Sequence, residues 1–122
     1  MAIPSRVLGT GNSGPTTVAI CGDTNAAVPA AGNSLATATQ LSAVMNVVTT
    51  ATAVSAIAVK LPKAEAGASV FIANRSGQTI SIYPFDASTQ INYGTAGAAV
   101  TLATGARTQL FGISPTEWYQ GA

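Results

Sequence analysis

The stretch Lys60–Phe85 decides the fold expected for this chain; it reads KLPKAEAGASVFIANRSGQTISIYPF. Two apolar-rich runs, Ser69–Ala73 and Thr79–Tyr83, flank the turn-forming residues Asn74–Gly77. In the second run two isoleucines alternate with polar or aromatic residues, and such alternation beside an Asn/Ser/Gly cluster is typical of a β-hairpin. We therefore predict a hairpin with one buried face and one face that meets solvent or a partner.

Further short strands are predicted on both sides of this stretch. Thr16–Cys21, Val47–Ala51 and Val54–Leu61 are rich in β-branched residues, and Arg107–Ile113 alternates. Residues Asn33–Asn46 fit either a short helical stripe or a strand to about Leu41 followed by one helical turn, and we adopt the second interpretation. Short strands between frequent turn signals favour an all-β fold, a compact sandwich or barrel-like domain of about eight strands.

The domain organisation follows from composition. A length of 122 residues suggests one domain. Residues 1–15 are rich in Gly, Ser and Pro, so we expect an extended N-terminal arm that is either free or held against a neighbour. Its larger apolar side chains include Ile3, Val7 and Leu8. Residues 16–122 then form a single β domain.

The low content of charged residues indicates which kinds of partner this chain could bind. Charged residues make up 7% of the chain, against about 25% in typical soluble proteins. A near-neutral surface promotes association, although a monomer solubilised by Ser, Thr, Asn and Gln is the alternative. The few Lys and Arg residues are scattered, which argues against nucleic acid. The longest apolar region, Ala51–Leu61, is too short and too polar to span a membrane, and no signal peptide is expected.

Catalytic groups are sparse. The chain has no histidine, and its carboxylates, Asp23, Glu65, Asp86 and Glu117, are far apart in sequence. A glycosidase-like pair of Asp86 and Glu117, or a calcium site using Asp23 and Asp86, would need contacts that no motif supports. Cys21, in an apolar run, is expected to be a buried thiol. We predict no catalytic residue, no cofactor and no metal site.

Two short motifs have simpler interpretations. Residues 9–14, GTGNSG, match the dinucleotide-binding pattern, but Pro15 follows where a helix should begin, so we assign them to the arm. Residues 74–76, NRS, match a glycosylation sequon, but Asn and Gly in a turn already explain the sequence.

The aromatic residues supply the candidate interface. Trp118 is expected in the core. The outward face of the second hairpin strand is expected to meet protein, because tyrosine is enriched where proteins meet. A sugar-stacking platform at Tyr83 is the alternative. The candidate interface residues are Ile3, Val7, Leu8, Thr79, Ser81, Tyr83, Phe85, Tyr93 and Tyr119.

Several short strings together resemble a known group of proteins. They are NVVTT at residues 46–50, VKLPxAxAGA at 59–68, VxIxN at 70–74, IxIYP at 80–84, IN at 91–92 and FxISxTxWY at 111–119. Across residues 40–120 the chain resembles small tailed-bacteriophage virion proteins, described as head decoration, cement or fibre-type structural proteins. The resemblance implies a β-rich subunit, often trimeric, that binds a capsid or appendage lattice and has no catalytic residues.

We therefore expect a non-enzymatic decoration or cement protein that binds and stabilises an assembled capsid as a homotrimer. Its partners would be itself and the major capsid protein or another virion protein. It would lie on the capsid surface after synthesis in the bacterial cytoplasm. The alternative is a tail fibre or baseplate module that contacts other tail proteins or host surface glycans. An enzyme of unrecognised type is a third, weaker hypothesis.

Overall fold

The structure is a computed structural model that describes residues 22–121. The arm predicted for Met1–Pro15, with Ile3, Val7 and Leu8, lies outside the described residues, as does the strand predicted for Thr16–Cys21.

The described residues form ten β-strands, which confirms the all-β prediction. The strands are β1 (Thr24–Pro29), β2 (Thr39–Gln40), β3 (Met45–Thr50), β4 (Ala58–Lys60), β5 (Ser69–Asn74), β6 (Ile80–Tyr83), β7 (Gln90–Ile91), β8 (Val100–Leu102), β9 (Arg107–Ser114) and β10 (Glu117–Gln120). The helical turn expected after Leu41 is absent, because residues 41–44 are a short link between β2 and β3.

The architecture is a β-solenoid of about four turns, so the predicted sandwich or barrel is wrong. One sheet has the strand order β1-β3-β5-β9-β10-β7 and the other has the order β2-β4-β6-β8. From β1 to β6 the chain alternates between the two sheets, and neighbours within each sheet are parallel. The winding then changes, since β8, β9 and β10 each pair antiparallel with a neighbour.

The predicted hairpin is also wrong, because β5 and β6 lie in different sheets. The turn between them is a corner built around Asn74, which is 2% exposed. Its side-chain amide donates to the carbonyls of Gln78 at 2.7 Å and Leu102 at 2.9 Å. Its Oδ1 accepts from the backbone N–H and the hydroxyl of Ser76. The asparagine thus satisfies backbone groups that a hairpin ladder would otherwise pair.

The core lies between the two sheets and follows the alternation seen in the sequence. Ile80 and Ile82 are fully buried while Ser81 and Tyr83 are half-buried, as period two requires. Trp118 is fully buried on the facing sheet, which confirms its predicted place in the core. Burying each large side chain of this kind contributes about 1.5–3 kcal/mol. This core fixes which side chains point outward.

Candidate interaction surface

The strand β9 presents alternate residues to the outside of the six-stranded sheet. Its inward residues include Leu110 and Gly112, both buried. Its outward residues include Phe111 and Ile113, which are 41% and 56% exposed. Large apolar side chains exposed on adjacent outward positions form a candidate contact surface.

Strand β10 adds two more side chains to this surface. Tyr119 pairs with Phe111 across the antiparallel β9–β10 ladder, so the two rings are cross-strand neighbours. Glu117 lies on the same face as Tyr119, two residues away, and its Oε2 accepts the tyrosine hydroxyl at 3.1 Å. We call Tyr93, Phe111, Ile113, Glu117 and Tyr119 the outer aromatic patch.

Tyr93 belongs to a left-handed turn that follows β7, the strand that pairs with β10. Asn92 N–H donates to the Trp118 carbonyl at 2.8 Å, and Asn92 Oδ1 accepts from Gln120 N–H at 2.8 Å. These bonds fix the turn against β10. Asn92 and Tyr93 have φ values of 56° and 58°, a left-handed conformation that asparagine tolerates and that costs on the order of 1–3 kcal/mol at Tyr93. Tyr93 is 75% exposed as a result.

Electrostatics couple Tyr119 to Glu117. The phenol donates a hydrogen bond to the carboxylate, which raises the pKa of Tyr119 because ionisation would break that bond. The second carboxylate oxygen of Glu117 accepts from the Ser114 hydroxyl at 3.3 Å. The carboxylate is therefore held in place within an otherwise apolar and aromatic surface.

The apolar character of this face continues onto β3 and β5. Met45 and Val47 alternate with buried residues in β3, and Phe71 and Ala73 do the same in β5; all four are half-buried. Met45 pairs directly with Phe71. The outside of the six-stranded sheet thus carries further half-buried apolar residues, although the exposed Gln109 and Arg107 of β9 lie opposite Phe71 and Ala73.

The structure divides the predicted interface residues between two sheets. Tyr93 and Tyr119 belong to the outer aromatic patch, whereas Ser81 and Tyr83 lie on the four-stranded sheet and Thr79 lies just before its strand β6. The Tyr83 hydroxyl donates to the Asn33 carbonyl at 3.0 Å, so this side chain anchors a neighbouring loop of its own chain. Phe85, just after β6, is exposed. Thr79, Ser81 and Tyr83 therefore do not share a surface with Tyr93 and Tyr119.

Phe111 and Ile113 were missed as interface residues although the sequence carried a signal for them. The alternation in β9 already placed them opposite Leu110. Two large apolar residues on the face away from the core could have been read as a contact surface. The sequence could not show that Tyr119 lies beside Phe111 or that Tyr93 follows the strand on the other side of β10, because this depends on the β9–β10–β7 strand order.

Asp23 and Asp86 have local structural roles. Asp86 accepts hydrogen bonds from the hydroxyls of Thr89 at 2.7 Å and Ser88 at 2.9 Å, which lower the pKa of this carboxyl. Asp23 Oδ1 accepts from Val44 N–H at 2.9 Å. Within residues 22–121, no group of three or more His, Cys, Asp or Glu residues could hold a metal ion. In the same range no helix has the length and apolarity needed to cross a membrane.

Comparison with known proteins found no match: no protein-family model, no curated protein and no solved structure is significantly similar to this chain.

Proposed function

We propose that this protein is a non-enzymatic structural protein of a tailed-bacteriophage virion, which binds and stabilises the assembled capsid as a homotrimer. The observation that carries the proposal is the outer aromatic patch. Aromatic residues are enriched in the centres of protein interfaces, and Phe111 and Ile113 are held outward on a rigid strand. The resemblance over residues 40–120 supplies the virion context.

The surrounding surface supports contact with protein. The half-buried Met45, Val47 and Phe71 extend the apolar area across β3 and β5. With only 7% charged residues, the chain has little charge to keep copies apart. A specific protein contact buries about 800 Å² on each partner, so residues around the outer aromatic patch would have to take part as well.

Binding free energy explains how such a subunit would stabilise an assembled capsid. A protein that binds the assembled lattice but not the free shell subunits favours assembly by mass action. Each contact contributes roughly 25 cal/mol per Å² of apolar area before the cost of association is subtracted. Three contacts within one trimer then act together, so modest affinities become avid.

Oligomeric state tests this use of the patch. We expect light scattering after size exclusion to give a trimer for the full chain at micromolar concentration. Ile113→Glu places a carboxylate on the patch beside Glu117 and is expected to shift the protein to monomer. Thr101→Glu adds the same charge at an exposed strand position on the other sheet and should leave the trimer intact.

A monomeric wild type, or equal behaviour of the two variants, would contradict the self-association.

Location is tested separately by electron microscopy of virions that carry the labelled protein. Label on the capsid surface supports decoration, label on the tail supports the second candidate below, and no label on particles removes both.

The second candidate is a tail fibre or baseplate module that binds host surface glycans. The observation that favours it is the hydrogen bond of Tyr119 to the positioned Glu117 carboxylate, together with the exposed Tyr93 that follows the neighbouring strand β7. Exposed aromatic faces stack on sugar C–H groups, and the Glu117 carboxylate can accept hydrogen bonds from sugar hydroxyls. Glycan-array binding that is lost in Tyr93→Ala but kept in Phe85→Ala would favour this candidate; an array with no hits would count against it.

A further inference from the structure

The outward face of β9 carries a cation at one end and the outer aromatic patch at the other. Its exposed residues are, in chain order, Arg107, Gln109, Phe111 and Ile113. Glu117 pairs with Ser114, so its carboxylate lies at the far end of this row from Arg107. A strand rises about 20 Å over the length from Arg107 to Ile113. One arginine side chain cannot bridge that distance, so the two charges of one chain do not pair with each other.

The Glu117 carboxylate is oriented to receive a cation. Its Oε2 accepts from the Tyr119 hydroxyl at 3.1 Å, and its Oε1 accepts from the Ser114 hydroxyl at 3.3 Å. A carboxylate oxygen can accept two hydrogen bonds, so each of these oxygens has the capacity for a further donor. A guanidinium presents two parallel N–H groups whose spacing matches the two oxygens of a carboxylate.

The rings beside this carboxylate favour a guanidinium over an ammonium group. Phe111 is 41% exposed and is the cross-strand neighbour of Tyr119. A planar guanidinium stacks on aromatic faces and is weakly hydrated, whereas an ammonium group holds its water more strongly. The site therefore fits an arginine side chain that lies on these rings and donates to Glu117.

We propose that Arg107 of a neighbouring copy of this chain occupies this site, with its guanidinium on Phe111 and Tyr119 and its N–H groups on the Glu117 carboxylate. The inference rests on the proposed homotrimer and names the residue that each copy contributes to the next. Opposite charges at the two ends of one face are self-complementary, which favours a second copy over an unrelated protein. Each copy gives its arginine to one neighbour and its carboxylate to the other, and such head-to-tail contacts close into a ring.

Charge reversal tests this contact through the concentration dependence of self-association, measured by sedimentation equilibrium of the full chain. Arg107→Glu and Glu117→Arg each place like charges across the contact, and we expect either change to raise the dissociation constant by about tenfold or more. The double variant Arg107→Glu/Glu117→Arg restores opposite charges in reversed order. We expect it to associate within about threefold of the wild type.

The matched control is Lys60→Glu/Glu117→Arg, which has the same net charge as the double reversal. Lys60 lies in β4 on the four-stranded sheet, so this control should stay as weakly associated as Glu117→Arg alone. Equal rescue by both double variants would overturn the proposal, because net charge would then explain the effect. If Glu117→Arg fails to fold, Arg107→Gln and Glu117→Gln form a double-mutant cycle in its place. We expect their effects to be strongly non-additive, and additive effects would refute the pairing.

The remaining outcomes separate this contact from the proposed function. A trimeric wild type with a dissociated Arg107→Glu/Glu117→Arg variant would disprove the pairing and leave the homotrimer standing. A monomeric wild type would remove both. Weakened association of Glu117→Arg beside an unchanged Arg107→Glu would assign the cation to another residue, and this too would disprove the pairing.

Discussion

The corner at Asn74 should be among the most mutation-sensitive positions in the fold. Asn74→Ala removes four hydrogen bonds, two donated to carbonyls and two accepted from Ser76. The Leu102 carbonyl lies in a buried setting, whereas the groups of Ser76 and Gln78 are partly accessible to water. A buried polar group left without a partner costs about 1–3 kcal/mol, and a partly accessible one costs less. For Asn74→Ala we therefore expect the free energy of unfolding to fall by about 3–4 kcal/mol.

Asn46→Ala is the matched comparison. Asn46 is the same residue type, is fully buried and lies in the adjacent coil. Its amide donates to the carbonyls of Ala43 at 2.9 Å and Phe71 at 3.4 Å, but its Oδ1 has no hydrogen-bond partner among residues 22–121. Because replacing it removes fewer bonds and relieves an unpaired oxygen, we expect a loss of only about 1–2 kcal/mol.

Urea unfolding at one fixed protein concentration measures both variants, since association would make the midpoint depend on concentration. The wild type and the two variants should have similar denaturant slopes, so that the midpoints report stability. Equal losses for the two asparagines would refute the reasoning, because the difference rests entirely on their hydrogen bonds. A loss below about 1 kcal/mol for Asn74→Ala would show that water replaces its bonds without cost.

Two further variants test local features of the structure. Glu117→Gln should lower the pKa of Tyr119 toward that of a free phenol, as ultraviolet titration of the phenolate will show. In the wild type, the raised pKa of Tyr119 stabilises the fold at pH values below the pKa of this tyrosine in the unfolded chain. This stabilisation is lost as the pH rises through the pKa of Tyr119 in the folded protein. An unchanged titration of Tyr119 in Glu117→Gln would disprove the coupling. Val54→Gly should raise the thermal midpoint. Val54 has a φ of 67°, a left-handed conformation that is unfavourable for a β-branched residue. Removing this strain should add about 1–2 kcal/mol to the free energy of unfolding, before the entropic cost of glycine is subtracted. A lower thermal midpoint would contradict the strained turn.

The sequence predicted local structure better than connectivity. The alternation of Ile80 and Ile82 correctly identified a strand and its buried face, and Asn74–Gly77 correctly marked a change of direction. Period two is a property of one strand, so it does not reveal the partner of that strand. A hairpin and a corner between sheets have the same turn residues. In the corner, the asparagine side chain makes hydrogen bonds to the backbone N–H and C=O groups, whereas in a hairpin the opposite strand makes them.

The same limit applies to the candidate surface. Tyr93 and Tyr119 were predicted as candidate interface residues, but their placement on neighbouring parts of one sheet depends on β7 pairing in parallel with β10. Tyr83 was correctly placed on the outward face of its strand, yet its hydroxyl is bonded to Asn33, fifty residues away. Contacts over such separations are set by the winding of the whole chain. No local pattern near Tyr83 could indicate them.

The two edges of the described solenoid are not alike, and this bears on how a further coil could continue it. Within residues 22–121 the sheets start with β1 and β2, which run parallel to their neighbours, and finish with β8, which is antiparallel, and β7, which has only two residues. A further coil wound in the direction of β2, β4 and β6 would meet β8 in antiparallel orientation. The reversal at β8 therefore ends the parallel winding of the described coils.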